Sequence, residues 1–215
     1  MFLKFPVLHL PSIMREKIIL KAADMFVTLG FKSVTMDDIA NEMGISKKTI
    51  YAHFKNKTAL VKEATLSLFE FISHGIDDIC ELDHNPIEEL YEIKKFAMLH
   101  LKDQKSSPQY QLQKYYPEIS RTLKNKQFAV MQDCTVKNLK KGVEQGLYRD
   151  NLDIEFVARI YFIGVSGIKD DSFFPIEKFP KALLMENYLE YHLRGIVTKK
   201  GQLTLNKFIN NQTND

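Results

Sequence analysis

The chain has 215 residues, 45% of them hydrophobic and 27% charged, which fits a globular protein of one larger domain or two small ones. It holds no run of 18 apolar residues, so no membrane-spanning helix is expected, and its two cysteines, Cys80 and Cys134, lie far apart and form no metal-ligand pattern. The net charge of +3 excludes little, but its distribution is informative: nine Lys/Arg face five Asp/Glu between Ile13 and Lys62, whereas residues 63–215 carry 20 basic and 22 acidic side chains.

Residues 1–12, MFLKFPVLHLPS, are set apart as an N-terminal extension that packs locally or stays loose. They do not read as a signal peptide, because Pro6, His9 and Pro11 interrupt the apolar run and no small-residue cleavage site follows. A first helix is expected from about Ser12 or Ile13 to Leu29, burying Ile18, Ile19, Ala22, Ala23, Phe26 and Leu29. Gly30 ends it, and Phe31 and Val34 plug the base of a small domain.

Thr35 to Lys57 reads as two short helices joined by a tight turn. Ala40 is small where a second helix crosses close by. Gly44 supplies the positive φ that ends the first of the two helices. Ile50 anchors the second, with Ile39, Met43, Ile45 and Phe54 completing the apolar side. Ser46 is a natural N-cap, and Thr35 with Asp38 forms a partial capping box. This spacing is that of a helix-turn-helix, whose second helix presents its N-terminal half to the DNA major groove. Its outward residues are Lys47, Lys48, Thr49, Tyr51 and His53. A helical hairpin with a solvated basic face is the plainer alternative.

Asn56 caps a long fourth helix through Leu60, Ala64, Leu68, Phe71, Ile72, Ile76 and Ile79, a mechanical link that ends before Pro86. Pro86 starts a fifth helix with Leu90, Ile93, Phe96, Ala97 and Leu101 on one side. Ser106, Ser107 and Pro108 break the pattern, and a short sixth helix carries Leu112, Tyr115 and Tyr116. A seventh runs from about Glu118 to Gln145, with Ile119, Leu123, Phe128, Met131, Thr135 and Leu139 at buried spacing and Gly146 as C-cap. Asp153 caps an eighth helix containing Phe156, Val157, Ile160, Tyr161, Ile163 and Ile168. After an irregular connector with three phenylalanines, a ninth helix spans about Lys181 to Val197. The polar tail beyond Gly201 is expected to fray, and no strand pair or internal repeat is evident.

Residues Arg15 to Lys62 resemble the DNA-binding domain of TetR-type transcriptional regulators. The resemblance rests on AADMFVTLGFKSVTMDDIANEMGISKKTIYAHFKNKTAL, with Phe26, Gly30-Phe31, Thr35, Ile39-Ala40, Gly44, Thr49-Ile50-Tyr51, Phe54, Lys57 and Leu60 in place. It covers about a quarter of the chain. Lys48 stands where a small residue is frequent, and Thr58 where an acid usually follows Lys57. The resemblance implies an all-α fold. An N-terminal three-helix helix-turn-helix domain (13–73) would precede a helical effector and dimerisation domain (74–215), about nine helices in all.

The implied partner is double-stranded DNA carrying a palindromic operator, bound by a cytoplasmic homodimer. Lys47 and Lys48 are candidates for base contact, since lysine donates to guanine O6 and N7. Thr49 suits a thymine methyl or a phosphate, and Ser46 joins the DNA-facing set. By resemblance Tyr51 and His53 hydrogen-bond the DNA backbone, as do Thr35 and Lys57 from the N-termini of their helices. Tyr51 covering a helix junction, His53 solvated on the surface and Lys48 merely screening charge are the plainer readings.

The family's last two long helices form its dimer interface, which points to the eighth and ninth here. Gly164 and Gly167 serve close approach between subunits, or else packing within one. Phe96, Met98, Tyr110, Tyr115, Tyr116, Phe128, Met131 and Phe162 either wall an apolar effector pocket or form plain core, with His100 and Arg121 as polar ends of such a pocket. No cofactor, metal or enzymatic activity is expected: there is no HExxH, no phosphate-binding glycine loop and no nucleophile set. The two thiols read as inert, with a redox switch as the alternative. The expected function is a one-component repressor released by a small hydrophobic effector. The alternative is an architectural or partner-controlled DNA-binding protein on the same fold without an effector.

Overall fold

The computed structural model describes residues 10–100, 108–170, 172–175 and 177–212. The expectations for residues 1–9, for Leu101, Ser106 and Ser107, and for the last three residues lie outside them. Ten helices are present among the described residues: α1 (Leu10–Leu29), α2 (Met36–Met43), α3 (Lys47–His53), α4 (Lys57–Cys80), α5 (Pro86–His100), α6 (Pro108–Tyr115), α7 (Pro117–Glu144), α8 (Ile154–Gly167), α9 (Lys181–Ile196) and α10 (Lys199–Gln212). The fold is all-α, and the single extended pairing among these residues is an isolated antiparallel bridge between Tyr148 and Val197.

The chain divides into two compact units. The N-terminal unit holds α1 to α3, α4 as far as Phe71, α6, and α7 as far as Lys124. Its core is built from Ile18, Ala22, Phe26, Val34, Ile39, Ile50, Phe54, Leu60, Val61 and Ala64, and Leu112 of α6 and Ile119 of α7 belong to it. The C-terminal unit holds the rest of α4 from Ile72, α5, α7 from Asn125, and α8 to α10. Ile87, Tyr91, Leu139, Tyr148, Leu189, Leu193 and Leu205 fill its core.

Two expectations are corrected. Leu29 is 51% exposed rather than buried. The chain turns at Gly30, and Phe31 stacks on Phe26 at 5.2 Å between ring centroids, so Phe31 takes the place at the end of the stripe. The segment beyond Gly201 is not frayed but forms most of α10, which brings the helices to ten. Leu205 is fully buried, Phe208 and Ile209 pack on the same core, and the Thr198 hydroxyl accepts the Gly201 N–H at 3.1 Å. Apolar side chains at i, i+3 and i+4 outweigh the polar composition around them.

Cys80 and Cys134, 54 residues apart in sequence, meet with their sulfurs 3.4 Å apart. Gly164 answers the open question about close approach. A Cβ there would lie 2.0 Å from the Tyr188 hydroxyl, which donates to the Ile160 and Tyr161 carbonyls at 3.1 and 3.2 Å. The glycine therefore admits a side chain of its own subunit, while Gly167 has nothing within 4 Å.

Candidate nucleic-acid interface

The helix-turn-helix is fixed by local chemistry. Thr35 is extended and caps α2 in a reciprocal box. Its N–H donates to the Asp38 carboxylate at 2.8 Å, and its hydroxyl oxygen accepts the Asp38 N–H at 3.2 Å. The N–H and then the hydroxyl of Thr35 hold the Asp38 carboxyl below its ordinary pKa. Aspartate thus closes the box as the longer glutamate would.

Gly44 ends α2 at φ 63°, ψ 30°, and its N–H turns back to the Ala40 and Asn41 carbonyls. Ile45 N–H also bonds the Ala40 carbonyl, at 3.0 Å. Two residues later Ser46 caps α3: its Oγ accepts the Thr49 N–H at 3.0 Å and lies 2.8 Å from the Thr49 hydroxyl. Asn56 does the same for α4, accepting the Ala59 N–H at 2.9 Å. Buried Ala40 and Ile50 hold α2 and α3 together beneath these caps.

The result is a seven-residue helix with one face in the core and another in solvent. Ile50 and Phe54 point inward. Lys47, Lys48, Tyr51 and Ala52 point outward, with Tyr51 45% exposed. Thr49 is half-buried, its hydroxyl engaged with Ser46. His53 is half-buried with its ring 6.5 Å from that of Phe54.

The charges on this face are not all free. The Lys47 ammonium bonds the Asp37 carboxylate at 2.8 Å, which raises its pKa, and both groups remain at least half exposed. An exposed pair of this kind is screened by solvent and contributes little, so a phosphate or guanine edge competes with it readily. Lys57 differs. Its ammonium is turned to the Phe31 carbonyl at 2.6 Å and the Lys32 carbonyl at 3.4 Å, above the Phe26 ring, and burial lowers its pKa. Sequence spacing carried no signal for this bond, because it joins residues 26 positions apart. A further residue missed in the sequence is Gln111 of α6. Its side-chain carbonyl accepts the Lys32 N–H at 2.9 Å and ties α6 to the turn before α2.

The ten residues expected to wall an effector pocket are distributed over both units. In the N-terminal unit Tyr110 and Arg121 are exposed, Arg121 pairing with Glu118. Tyr115 and Tyr116 line an open cleft of about 200 Å³ with Thr58, Pro117, Glu118 and Ile119. That is below the ~300–1,000 Å³ of drug-sized ligand sites. In the C-terminal unit Phe96 and His100 meet edge-to-face at 4.5 Å, and Phe128 meets Phe162 edge-to-face at 5.1 Å. Met131 packs against the core, and Met98 is half-buried. A second cleft, about 430 Å³, is lined by α8 and α9 residues including Phe156, Ile160, Tyr191 and His192. Among the described residues no group of three His, Cys, Asp or Glu side chains is placed to hold a metal ion, and no helix is long and apolar enough to cross a membrane.

A capped, glycine-turned helix pair with a basic outer helix is a helix-turn-helix DNA-binding domain. Residues 18–64 match the family model of bacterial regulatory proteins, tetR family. Residues 18–64 are thus similar to the DNA-binding domain of that family, and the chain is a DNA-binding transcriptional regulator. It is 26% identical to the HTH-type transcriptional repressor KstR2 of Mycobacterium tuberculosis over 152 residues, 67% of this chain and 74% of that protein. Its fold is similar to that of regulatory protein TetR from Rhodobacter sphaeroides, with a TM-score of 0.71 at 16% identity, covering 86% of this chain and all of the other. It is also similar to the ketosteroid transcriptional regulator KstR2 of M. tuberculosis, with a TM-score of 0.53 at 22% identity, covering 86% and 96%. Such relatives are transcriptional regulators rather than enzymes.

Proposed function

We propose that the protein is a homodimeric, one-component repressor, not an enzyme, that binds a palindromic operator through α3 and leaves it when a small hydrophobic effector binds. The observation that carries the DNA reading is the outer face of α3, where Lys47, Lys48 and Tyr51 stand exposed on a helix locked by Ser46 and Gly44. Lys47 and Lys48 read base edges. Ser46, Thr49, Tyr51 and His53 contact the phosphate backbone, and Thr35 does so from the first turn of α2. Lys57 has a different part: with its ammonium spent on the Phe31 and Lys32 carbonyls, it sets the position of α4 against the turn before α2.

The dimer is supported by an apolar face on α8. Phe156 and Ile163 are each 60% exposed and Ile160 is exposed between them, at i, i+4 and i+7, with Tyr191 of α9 76% exposed nearby in the same cleft-bearing surface. A face of this kind requires a partner, and a second copy supplies one with matching symmetry. Two recognition helices one helical turn apart, or a multiple of it, then read a palindrome.

Repression follows the relative named as a repressor. The effector reading is supported by the adaptable set Phe96, Met98, Phe128, Met131 and Phe162 on α5, α7 and α8. A steroid-like polycycle is the first probe, because one similar structure is that of a ketosteroid regulator. A mobility-shift assay on duplexes recovered from a randomised pool tests the DNA reading, with Tyr51→Ala expected to weaken binding at unchanged helicity. If about six phosphates are neutralised per dimer, affinity falls roughly a thousandfold between 50 and 200 mM salt. A genuine effector must both raise the thermal midpoint and release the duplex.

A further inference from the structure

Cys80 is the last residue of α4, and Cys134 sits in the middle of α7. Their sulfurs are 3.4 Å apart, and both thiols are free. A disulfide requires an S–S separation of about 2.0 Å, so closure needs a movement of little more than an ångström, within reach of side-chain rotation. Both belong to the C-terminal unit. We propose that Cys80 and Cys134 form a reversible dithiol–disulfide site, oxidised by hydroperoxides, and that the cross-link alters operator affinity by pinning the end of the helix that starts at the DNA-binding domain.

The two thiols have unequal roles. The two sulfurs share a hydrogen bond in which either can donate; with Cys80 accepting, its thiolate is favoured, whereas the contact with Cys80 and then burial disfavour ionisation of Cys134. Lys137 assists the Cys80 thiolate, while burial and the Glu89 and Asp77 carboxylates oppose it. Cys80 is therefore the attacking sulfur and Cys134 the resolving one. The Cys80 thiolate displaces hydroxide from hydrogen peroxide and becomes a sulfenic acid. The Cys134 sulfur then attacks the Cys80 sulfur, its proton leaves with the sulfenic hydroxyl as water, and the S–S bond forms. In sum two thiols and one peroxide yield one disulfide and two waters, and a dithiol reductant reverses it.

The surroundings favour a clean intramolecular closure. Cys134 lies one helical turn from Asn138, whose amide donates to the Pro86 carbonyl at 2.9 Å and to Glu89 at 2.7 Å, and whose carbonyl accepts the Tyr148 hydroxyl at 3.1 Å. This buried network holds α7 against α5 beside the pair. On the α4 side, Cys80 is followed at once by a turn, so the helix end can shift without breaking interior hydrogen bonds.

The test uses the reduced full-length protein, one to five equivalents of hydrogen peroxide, and intact mass with and without maleimide. The expected result is loss of 2 Da, loss of both maleimide adducts, a monomeric band on a non-reducing gel, and full reversal by dithiothreitol. Cys134→Ser should instead accumulate a dimedone-trapped sulfenic acid, which Cys80→Ser should not. Two alkylatable thiols after treatment, or only intermolecular cross-links, would overturn the site. For the regulatory half, which rests on the DNA-binding reading, a duplex selected by the reduced protein is titrated with both redox forms. At least a threefold change in Kd, absent in the Cys80→Ser/Cys134→Ser variant, is expected. Equal affinity of both forms would overturn the switch, whereas failure of the reduced protein to select any duplex would instead count against the DNA-binding reading.

Discussion

Gly44→Ala isolates the backbone contribution of the helix-turn-helix. The residue sits at φ 63°, and an added Cβ would meet nothing within 4 Å, so no clash enters the comparison. An alanine in the left-handed region is disfavoured by ~1–2 kcal/mol. Stiffening the unfolded chain gives back ~0.4–1 kcal/mol. The net loss is about 1 kcal/mol, which corresponds to amide exchange roughly fivefold faster where opening disrupts the turn. Hydrogen–deuterium exchange on the full chain reads this directly. Peptides covering residues 36–53 should exchange faster in Gly44→Ala, peptides from residues 125–212 should not, and Gly44→Asn should lie close to wild type because asparagine tolerates this conformation. Equal protection in Gly44→Ala and wild type would refute the argument that the turn rests on this residue's φ.

Three further outcomes follow from the C-terminal unit. Glu89 is buried and bonded to Asn138 at 2.7 Å and Lys141 at 3.1 Å, so Glu89→Ala should lower unfolding stability by ~3–5 kcal/mol, while an unchanged urea midpoint would remove the network from the core. His192 lies against Tyr161 and Tyr188 with no hydrogen-bond partner for Nε2 among the described residues, and burial holds its pKa down at about 4 against an ordinary 6.5. Because the unfolded chain takes up a proton that the folded one refuses, stability should fall as pH drops from about 6.5 to about 4, by about 3 kcal/mol in all. His192→Phe should flatten that slope in urea titrations, and an identical slope would contradict it. Leu205→Ala should destabilise by ~2–5 kcal/mol as a cavity in the core; a neutral substitution would show that α10 is dispensable.

The parts of the fold legible in the sequence are those set by neighbours a few residues apart. Thr35 with Asp38, Gly44, Ser46 and Asn56 each act over four residues or fewer, and each cap or turn forms as the residue types dictate. What the sequence concealed depends on long-range placement. The meeting of Cys80 with Cys134, the reach of Lys57 to Phe31, and the bond from Lys32 to Gln111 span 54, 26 and 79 residues. α10 is intermediate: Leu205, Phe208 and Ile209 carried a helical stripe behind the Thr198 cap, but the polar residues around them masked it. For the proposed DNA contacts, exposure of Lys47 and Tyr51 followed from helical spacing, whereas the pairing of Lys47 with Asp37 did not.

The central claim is that the outer face of α3 reads a two-fold symmetric DNA sequence. Selection of duplexes from a randomised pool, run in parallel on the wild-type protein and on Lys47→Ala and Tyr51→Ala, tests it most directly. A palindromic motif should emerge for the wild type, with half-sites one helical turn or a multiple of it apart. Lys47→Ala should shift the preferred bases, and Tyr51→Ala should keep the motif at lower affinity. Enrichment without symmetry, or the same motif at the same affinity for all three proteins, would contradict the account.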